Sequence, residues 1–155
     1  MGRIYTAAFS GSAETTQVDL LEIVAPSTDV VIIHEIGISQ GTEEADAEEE
    51  MLLLHWRSGN TTSGSGGASI TPAPAMVGDV AAAATVEYCN TTKASTGTPV
   101  TQYSWYWNVR VPFQIVFTPE TRPVLAPSRR ACLELATTPG DSITFGGYIV
   151  FEEIG

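Results

Sequence analysis

Residues 131–151 decide the fold: Ala131-Cys-Leu-Glu-Leu-Ala136, then Thr137-Thr-Pro-Gly-Asp-Ser142, then Ile143-Thr-Phe-Gly-Gly-Tyr-Ile-Val-Phe151. The first and last segments alternate apolar with other residues, which is typical of half-buried β-strands, and the middle segment is rich in turn-forming residues. The pattern predicts a β-hairpin whose long second strand is central in a sheet. One face of that strand carries Ile143, Phe145, Gly147, Ile149 and Phe151.

The rest of the chain predicts further strands separated by turns and no long amphipathic helix. The segment 29–40 is rich in β-branched residues, and strict alternation places Val30, Ile32, His34, Ile36 and Ile38 on one face. Alanines at 77–84 permit a helical turn or two. We therefore predict a single all-β domain over residues 1–155, a jelly-roll-like β-sandwich of about eight antiparallel strands. The other predicted strands are 4–9, 18–25, 51–57, 85–89, 103–111 and 113–117.

Charge excludes several classes of partner. The chain has 7 basic and 18 acidic side chains and a net charge of -11, which argues against nucleic acid and anionic membranes as partners. Only 16% of residues are charged, and Lys93 is the single lysine among the basic residues. Arginine suits fixed, partly buried ion pairs, so this bias favours interfaces. No apolar run is long enough for a signal peptide or a membrane span, so we expect a product retained in the cytoplasm.

No catalytic constellation is recognisable, so we expect neither an enzyme nor a cofactor. His34 and Glu35 are neighbours in a strand and point to opposite faces. His34 is expected in the core or an interface and His55 at the surface or a subunit contact, and nothing in their spacing from the two cysteines supports zinc. Cys89 and Cys132 are expected to be buried core thiols, although a disulfide between them stays open. Nucleophile elbows, phosphate loops and HExxH are absent from the sequence.

Two kinds of polar loop stand out. The run Glu43–Glu50 holds six acids in eight residues; its interpretations are a solvated loop that blocks edge aggregation, an inter-subunit contact or a calcium site. The loop 58–67 is flexible by composition. Asn-Thr-Thr occurs at Asn60 and again at Asn90, which indicates two similar polar loops at one end of the sandwich.

An aromatic strand is the other prominent feature. Tyr103, Trp105 and Trp107 alternate on one face, and Tyr106 lies on the other. Aromatic side chains concentrate in cores and at subunit interfaces, and they also form platforms for sugar rings. Aromatics on both faces favour burial on both sides, as in an oligomer.

Several segments together resemble small proteins from the structural modules of tailed phages and prophages, some of them capsid decoration (cement) proteins. The resemblance rests on turn and strand patterns over nearly the whole chain. The segments that carry it are Met1-Gly-Arg-Ile-Tyr5, the acidic run leading into Met51-Leu-Leu-Leu54, Arg57-Ser-Gly-Asn-Thr-Thr-Ser-Gly-Ser-Gly-Gly67, Thr118-Pro-Glu-Thr-Arg-Pro123, Pro127-Ser-Arg-Arg130 and Val150-Phe-Glu-Glu-Ile-Gly155.

The resemblance implies a non-enzymatic virion protein that trimerises and stabilises the lattice of the major capsid protein from outside, after assembly in a bacterial cytoplasm. We expect the subunit interface to involve Tyr103, Trp105, Trp107, Arg129 and Arg130. Rival functions are a tail, head-fibre or receptor-binding module whose Trp105 and Trp107 bind carbohydrate, and a carbohydrate-binding module of a cellular protein. The expected capsid contacts are Arg3, Ile4, Tyr5, Asn60 and Asn90.

Overall fold

The computed structural model describes residues 2–42 and 50–155, and these residues form β-strands without any helix. Their strands make two antiparallel six-stranded sheets packed face to face, which confirms the predicted all-β sandwich; jelly-roll connectivity stays a prediction. The strands are β1 Arg3–Glu14, β2 Asp19–Val24, β3 Val30–Gln40, β4 Met51–Ser58, β5 Ala68–Ile70, β6 Ala73–Pro74, β7 Thr85–Asn90, β8 Val100–Asn108, β9 Phe113–Val116, β10 Val124–Leu125, β11 Arg130–Leu135 and β12 Ile143–Ile154.

The first sheet, called sheet A, has the order β10-β3-β12-β1-β6, with β9 also paired to β3. The second, sheet B, has the order β5-β7-β2-β11-β4-β8. One hydrophobic core fills the space between them, and Trp56, Tyr5, Phe145 and Phe151 are among its largest fully buried side chains. No helix in the described ranges is long and apolar enough to cross a membrane.

The predicted hairpin of residues 131–151 is wrong, although both of its strands exist. β11 pairs with β2 and β4 in sheet B, whereas β12 pairs with β1 and β3 in sheet A. The turn-rich segment 136–142 therefore crosses from one sheet to the other. Alternation identifies a strand and its buried face, and it carries no information about which neighbour the strand pairs with. The central position of β12 is confirmed, and Ile143, Phe145, Ile149 and Phe151 are buried as predicted.

The predicted buried face of β3 is wrong in its first half. A register shift between Val150 and Phe151 of β12 leaves His34 as an extra residue in β3. Such a β-bulge changes the phase of alternation. As a result Val31 and Ile33 lie in the core before the bulge, and Ile36 and Ile38 lie in the core after it.

The shortest strands escaped prediction, so the expected number of about eight is too low. β5, β6 and β10 contain two or three residues each, too few for a visible alternation. The helical turns that the alanines at 77–84 would permit do not form. This described segment is an irregular connection with a single turn at Met76–Asp79. The strand predicted at 113–117 exists as β9, which lies in the opposite sheet from β8 and pairs with β3.

The two ends of the sandwich differ. At one end, called the Arg129 end, the connections 25–29 and 126–129 are joined by hydrogen bonds from Ala25 N to Arg129 O and from Ser128 N to Pro26 O. Arg3 and Ile154 also lie at this end, since they pair with Glu153 and Val30. The connections 109–112 and 136–142 lie at the opposite end.

Candidate functional site

The outer face of sheet B carries charged side chains that a β-sheet surface normally leaves in water. In β11 and β4, alternation with core residues turns outward Arg130, Cys132, Glu134, His55 and Arg57. In β2 a register shift that leaves Leu20 as an extra residue puts both Asp19 and Glu22 on this face. Asp19, Glu22 and Glu134 are buried all the same. Buried charges need partners, so something must cover this face.

The cover is made by the chain itself. Two segments, 59–67 and 91–99, called the crossover loops, run in opposite directions over the outer face of sheet B. The first connects β4 to β5 and the second connects β7 to β8, so each passes from one half of the sheet to the other. They pair through reciprocal backbone bonds of 3.0 Å between Thr62 and Ser95 and of 2.9 Å between Ser65 and Thr92.

The crossover loops are two copies of one motif. Asn-Thr-Thr-x-x-Ser occurs at Asn60 and, with an offset of thirty residues, at Asn90. Gly64 and Ala94 hold equivalent positions, and each donates its backbone N–H to a buried carboxylate, at 2.9 Å to Glu22 Oε2 and 2.7 Å to Asp19 Oδ2. The two loops are therefore fastened to β2 by equivalent bonds.

Glu22 is the most fully satisfied carboxylate of the face. It accepts hydrogen bonds from Ser63 Oγ at 2.7 Å and Gly64 N at 2.9 Å, and from Asn90 Nδ2 and Arg130 Nη1 at 3.1 Å each. The bond to Arg130 is also an ion pair. Because charge-assisted bonds in a buried setting are strong, Glu22 fastens together the first crossover loop, Asn90 at the end of β7, and β11.

Glu134 and Asp19 form a second cluster. Glu134 pairs with Arg57 at 2.9 Å and Lys93 at 2.6 Å, and its Oε2 lies 3.5 Å from His55 Nδ1. Burial raises the pKa of Asp19 to about 6, although the Ala94 N–H and the Arg57 guanidinium oppose that change. Arg57 Nη2 lies 3.6 Å from Asp19 Oδ1.

This geometry does not fit a metal ion, even though oxygen or sulfur atoms of Asp19, Glu22 and Cys132 approach one another within 4.8 Å. Both oxygens of Glu22 already accept two hydrogen bonds each, and the guanidinium groups of Arg57 and Arg130 occupy the cation positions. Burial raises the pKa of the Cys132 thiol well above its usual value, so it does not supply the thiolate that metals bind.

The histidines and cysteines expected to be structural have clear surroundings. His34 lies in sheet A, with Nε2 3.0 Å from Glu152 Oε2, and His55 lies in sheet B. Cys89 and Cys132 are buried free thiols, as expected for core thiols, and burial raises the pKa of Cys89 to about 12. The zinc alternative has no support, because the two histidines belong to different sheets. The interpretations of the acidic run concern residues 43–49, outside the described residues.

The aromatic strand is β8, at the edge of sheet B. Its Tyr103, Trp105 and Trp107 point between the sheets and contact Phe117, Phe113 and Phe145 respectively, with ring centroids 5.4–6.0 Å apart. Trp107 is buried and the other two are half-buried. These rings are engaged in packing and do not form a flat sugar platform, whereas Tyr106 on the outer face is 72% exposed.

The residues expected to contact a capsid divide into exposed and buried groups. Arg3 is exposed and pairs with Asp79 at 3.2 Å, and Ile4 is 43% exposed. Tyr5, Asn60 and Asn90 are buried, so their side chains cannot meet a partner directly; Asn60 and Asn90 instead hold the crossover loops. Among the expected interface arginines, Arg129 is exposed and Arg130 is half-buried against Glu22.

The outer face of sheet A has no comparable cover from described residues, and small and apolar residues dominate it. Tyr148 of β12 lies flat over Gly37 of β3, since a Cβ added at Gly37 would collide with its ring. The Tyr148 hydroxyl donates to Glu35 Oε1 and accepts from Gln114 Nε2 at 2.9 Å. This trio was not predicted from the sequence. The local feature that could have drawn attention to Tyr148 is the pair Gly146-Gly147 immediately before it. Ile4, Val116, Val124 and Ile154 are its exposed apolar side chains.

No protein-family model matches the chain, and neither curated proteins nor solved structures give a match.

Proposed function

We propose that the protein is a non-enzymatic virion component, a capsid decoration protein that associates with itself as a trimer and stabilises the lattice of the major capsid protein. The observation that carries this proposal is the position of β8 at the edge of sheet B, where it pairs with β4 alone among the described strands and exposes Tyr106. Long unpaired edges present a row of backbone donors and acceptors that invites pairing with another chain. A closed ring of subunits covers such an edge at every interface.

The β8 edge supports association through its backbone and Tyr106, rather than through the inward-facing Trp105 and Trp107. Leu53 lies directly beside Tyr106 in the sheet, and Met51 follows two residues away on the same face, exposed to solvent. This combination of an aromatic side chain with apolar neighbours resembles the anchors found at the centres of interfaces.

The Arg129 end supports contact with the shell. Exposed Arg129 lies there beside a shallow cleft of about 310 Å³ formed with Ser58, Gly59 and Val124. Arg3 and Ile4 of β1 lie at the same end of sheet A. Since the chain as a whole is acidic, this group of arginines is the part best suited to an acidic partner surface.

Decoration works by mass action. A protein that binds only the assembled lattice stabilises it by RT ln(1 + [L]/Kd), about 2.7 kcal/mol per site at a concentration of 100 Kd. Because the sites repeat over the shell, moderate affinity at each site is sufficient for a large total effect.

The test has two parts. Light scattering measures the solution mass, where the proposal expects three times the 16.5 kDa chain mass, unchanged by chelator, and a reduced mass for Tyr106→Lys. Sedimentation with shells assembled from the major capsid protein of the same structural module then measures binding, and the proposal expects Arg129→Glu to weaken it. A monomer that leaves the heat stability of those shells unchanged would contradict the proposal.

A further inference from the structure

A cleft on the outer face of sheet A lies toward the end opposite Arg129. It has a volume of about 340 Å³ and is lined by Gly37, Ser39, Pro112, Phe113, Gln114 and Tyr148. Ligand sites for small molecules commonly begin at about 300 Å³ and are mostly apolar, with a few polar groups that fix orientation. This cleft has that composition.

Tyr148 supplies a fixed aromatic surface in the cleft. Its ring rests on the backbone of Gly37, and its hydroxyl is held by Glu35 and Gln114 on neighbouring strands. Gln114 Nε2 also donates to Glu35 Oε1. A ring held at both its face and its hydroxyl loses little conformational entropy when a ligand stacks on it.

The floor beside Tyr148 is open because Gly146 has no side chain. A Cβ at this position would approach no atom more closely than Phe9 O at 3.4 Å, with Ser39 Oγ at 3.6 Å and Ser10 Cα at 3.7 Å. Past Gly146 the surface continues into a second depression of about 160 Å³, whose lining includes Ser10, Ser39 and Thr144. The two depressions share Ser39, so an extended ligand can pass from the aromatic ring to a row of hydroxyl groups.

We propose that this continuous cleft binds a glycan, with one pyranose ring stacked on Tyr148. The C–H face of a pyranose is apolar and fits an aromatic surface, while its hydroxyl groups match the amide of Gln114 and the hydroxyls of Ser39 and Thr144. The carboxylate of Glu35, which holds the Tyr148 hydroxyl, and the net charge of -11 disfavour nucleotides and other phosphorylated ligands.

Glycan binding is independent of the proposed capsid role. The cleft lies away from the Arg129 end, and the side chains proposed to bind the glycan, Tyr148 and Gln114, belong to sheet A, whereas Tyr106 belongs to the outer face of sheet B. The isolated protein can therefore be tested without a shell, and failure of one proposal leaves the other intact.

The experiment applies the purified protein to a glycan array and measures the Kd of the best glycan by calorimetry. Tyr148→Ala removes the stacking surface and is expected to weaken binding about tenfold or more. Gly146→Leu keeps Tyr148, Glu35 and Gln114 but fills the floor, and should abolish binding. Met76→Ala, which removes an exposed side chain from the connection between β6 and β7, is the control and should bind like the wild type.

Two results would overturn the inference. One is the absence of any glycan bound at millimolar concentration by folded wild-type protein. The other is binding that Gly146→Leu and Tyr148→Ala both leave unchanged while their melting temperatures match the wild type, which would place the glycan elsewhere. Binding of a proline-rich peptide in place of glycans would equally contradict it.

Discussion

The outer faces of the two sheets differ in charge and in cover, although both consist of antiparallel strands. Sheet B turns buried charges outward, and the chain covers them with its own crossover loops, which donate equivalent backbone bonds to Glu22 and Asp19. Sheet A turns outward glycines, hydroxyls and single apolar side chains such as Ile4, together with a few charged groups such as Glu35 and Glu152 that no loop among the described residues covers. Charged groups under cover must be paired within the chain, whereas a sparsely charged open surface tolerates water until a partner arrives. The closed face supports the fold, and the open face is available for binding.

The largest expected effect comes from comparing two variants, each of which removes one carboxylate from one of the two faces. Glu22→Ala leaves Arg130, Asn90 and the donors of the first crossover loop, Ser63 and Gly64, without their buried acceptor. We expect the free energy of unfolding to fall by about 3–5 kcal/mol. Glu152→Ala on the open face removes only the half-exposed partner of His34, and the expected loss is about 1 kcal/mol or less. Denaturant unfolding measures both, and equal losses would contradict the distinction.

The pH dependence of stability gives a second test. The native pKa of Asp19 is raised from 3.8 to about 6, so the folded state holds this proton more tightly than the unfolded state does. Its contribution to stability is therefore fully present below about pH 4 and is lost as the pH rises through about 6, a change of about 3 kcal/mol.

Asp19→Asn provides the control for that test, because it removes the titration and keeps the size of the side chain. The difference in unfolding free energy between the wild type and Asp19→Asn should change between pH 4 and pH 7 and stay constant above that range. A difference that does not vary with pH would show that Asp19 ionises normally.

Thiol reactivity gives a smaller but more local test. Cys132 lies beneath the crossover loops, and burial raises its pKa well above the usual value, so native protein should resist iodoacetamide at about pH 8. Asn60→Ala removes the side-chain bond of 3.2 Å to Ala94 O that links the two loops. Mass spectrometry should then detect faster alkylation of Cys132 and unchanged Cys89. Rapid alkylation of Cys132 in the wild type would mean that the loops do not cover it.

Strand identity was predictable from sequence to a large extent, and strand pairing was not. The alternation at 143–151 correctly gave a central strand and its buried face. It could not assign β11 and β12 to different sheets, because a turn-rich segment serves a hairpin and a crossing equally well. The bulge at His34 could not be predicted from the sequence either. Val30-Val-Ile-Ile33 are all apolar, so the sequence does not show which two of them face the core.

The candidate surfaces were predictable only in part. Composition predicted a flexible loop at 58–67, and the two Asn-Thr-Thr triplets predicted similar polar loops at one end of the sandwich. The second prediction is wrong in its placement, because both loops cross the outer face of sheet B and are bonded to β2. One glycine shows why composition was misleading: Gly59 has φ +92° and lies against the carbonyl of Thr98, so it serves a close approach of two loops rather than flexibility. Tyr148, Glu35 and Gln114 come from three different strands and meet only because those strands pair in one register. No pattern within a single segment of sequence predicts that pairing.

Amide hydrogen exchange by NMR tests the central distinction most directly. If the crossover loops close the outer face of sheet B, the amides of Gly64 and Ala94 should exchange at least about 100-fold more slowly than that of Val80, whose N–H is bonded only to the neighbouring Asp79 in an exposed connection. Equal rates at the three amides would contradict the account, because glycine- and serine-rich loops would then be as mobile as their composition suggests.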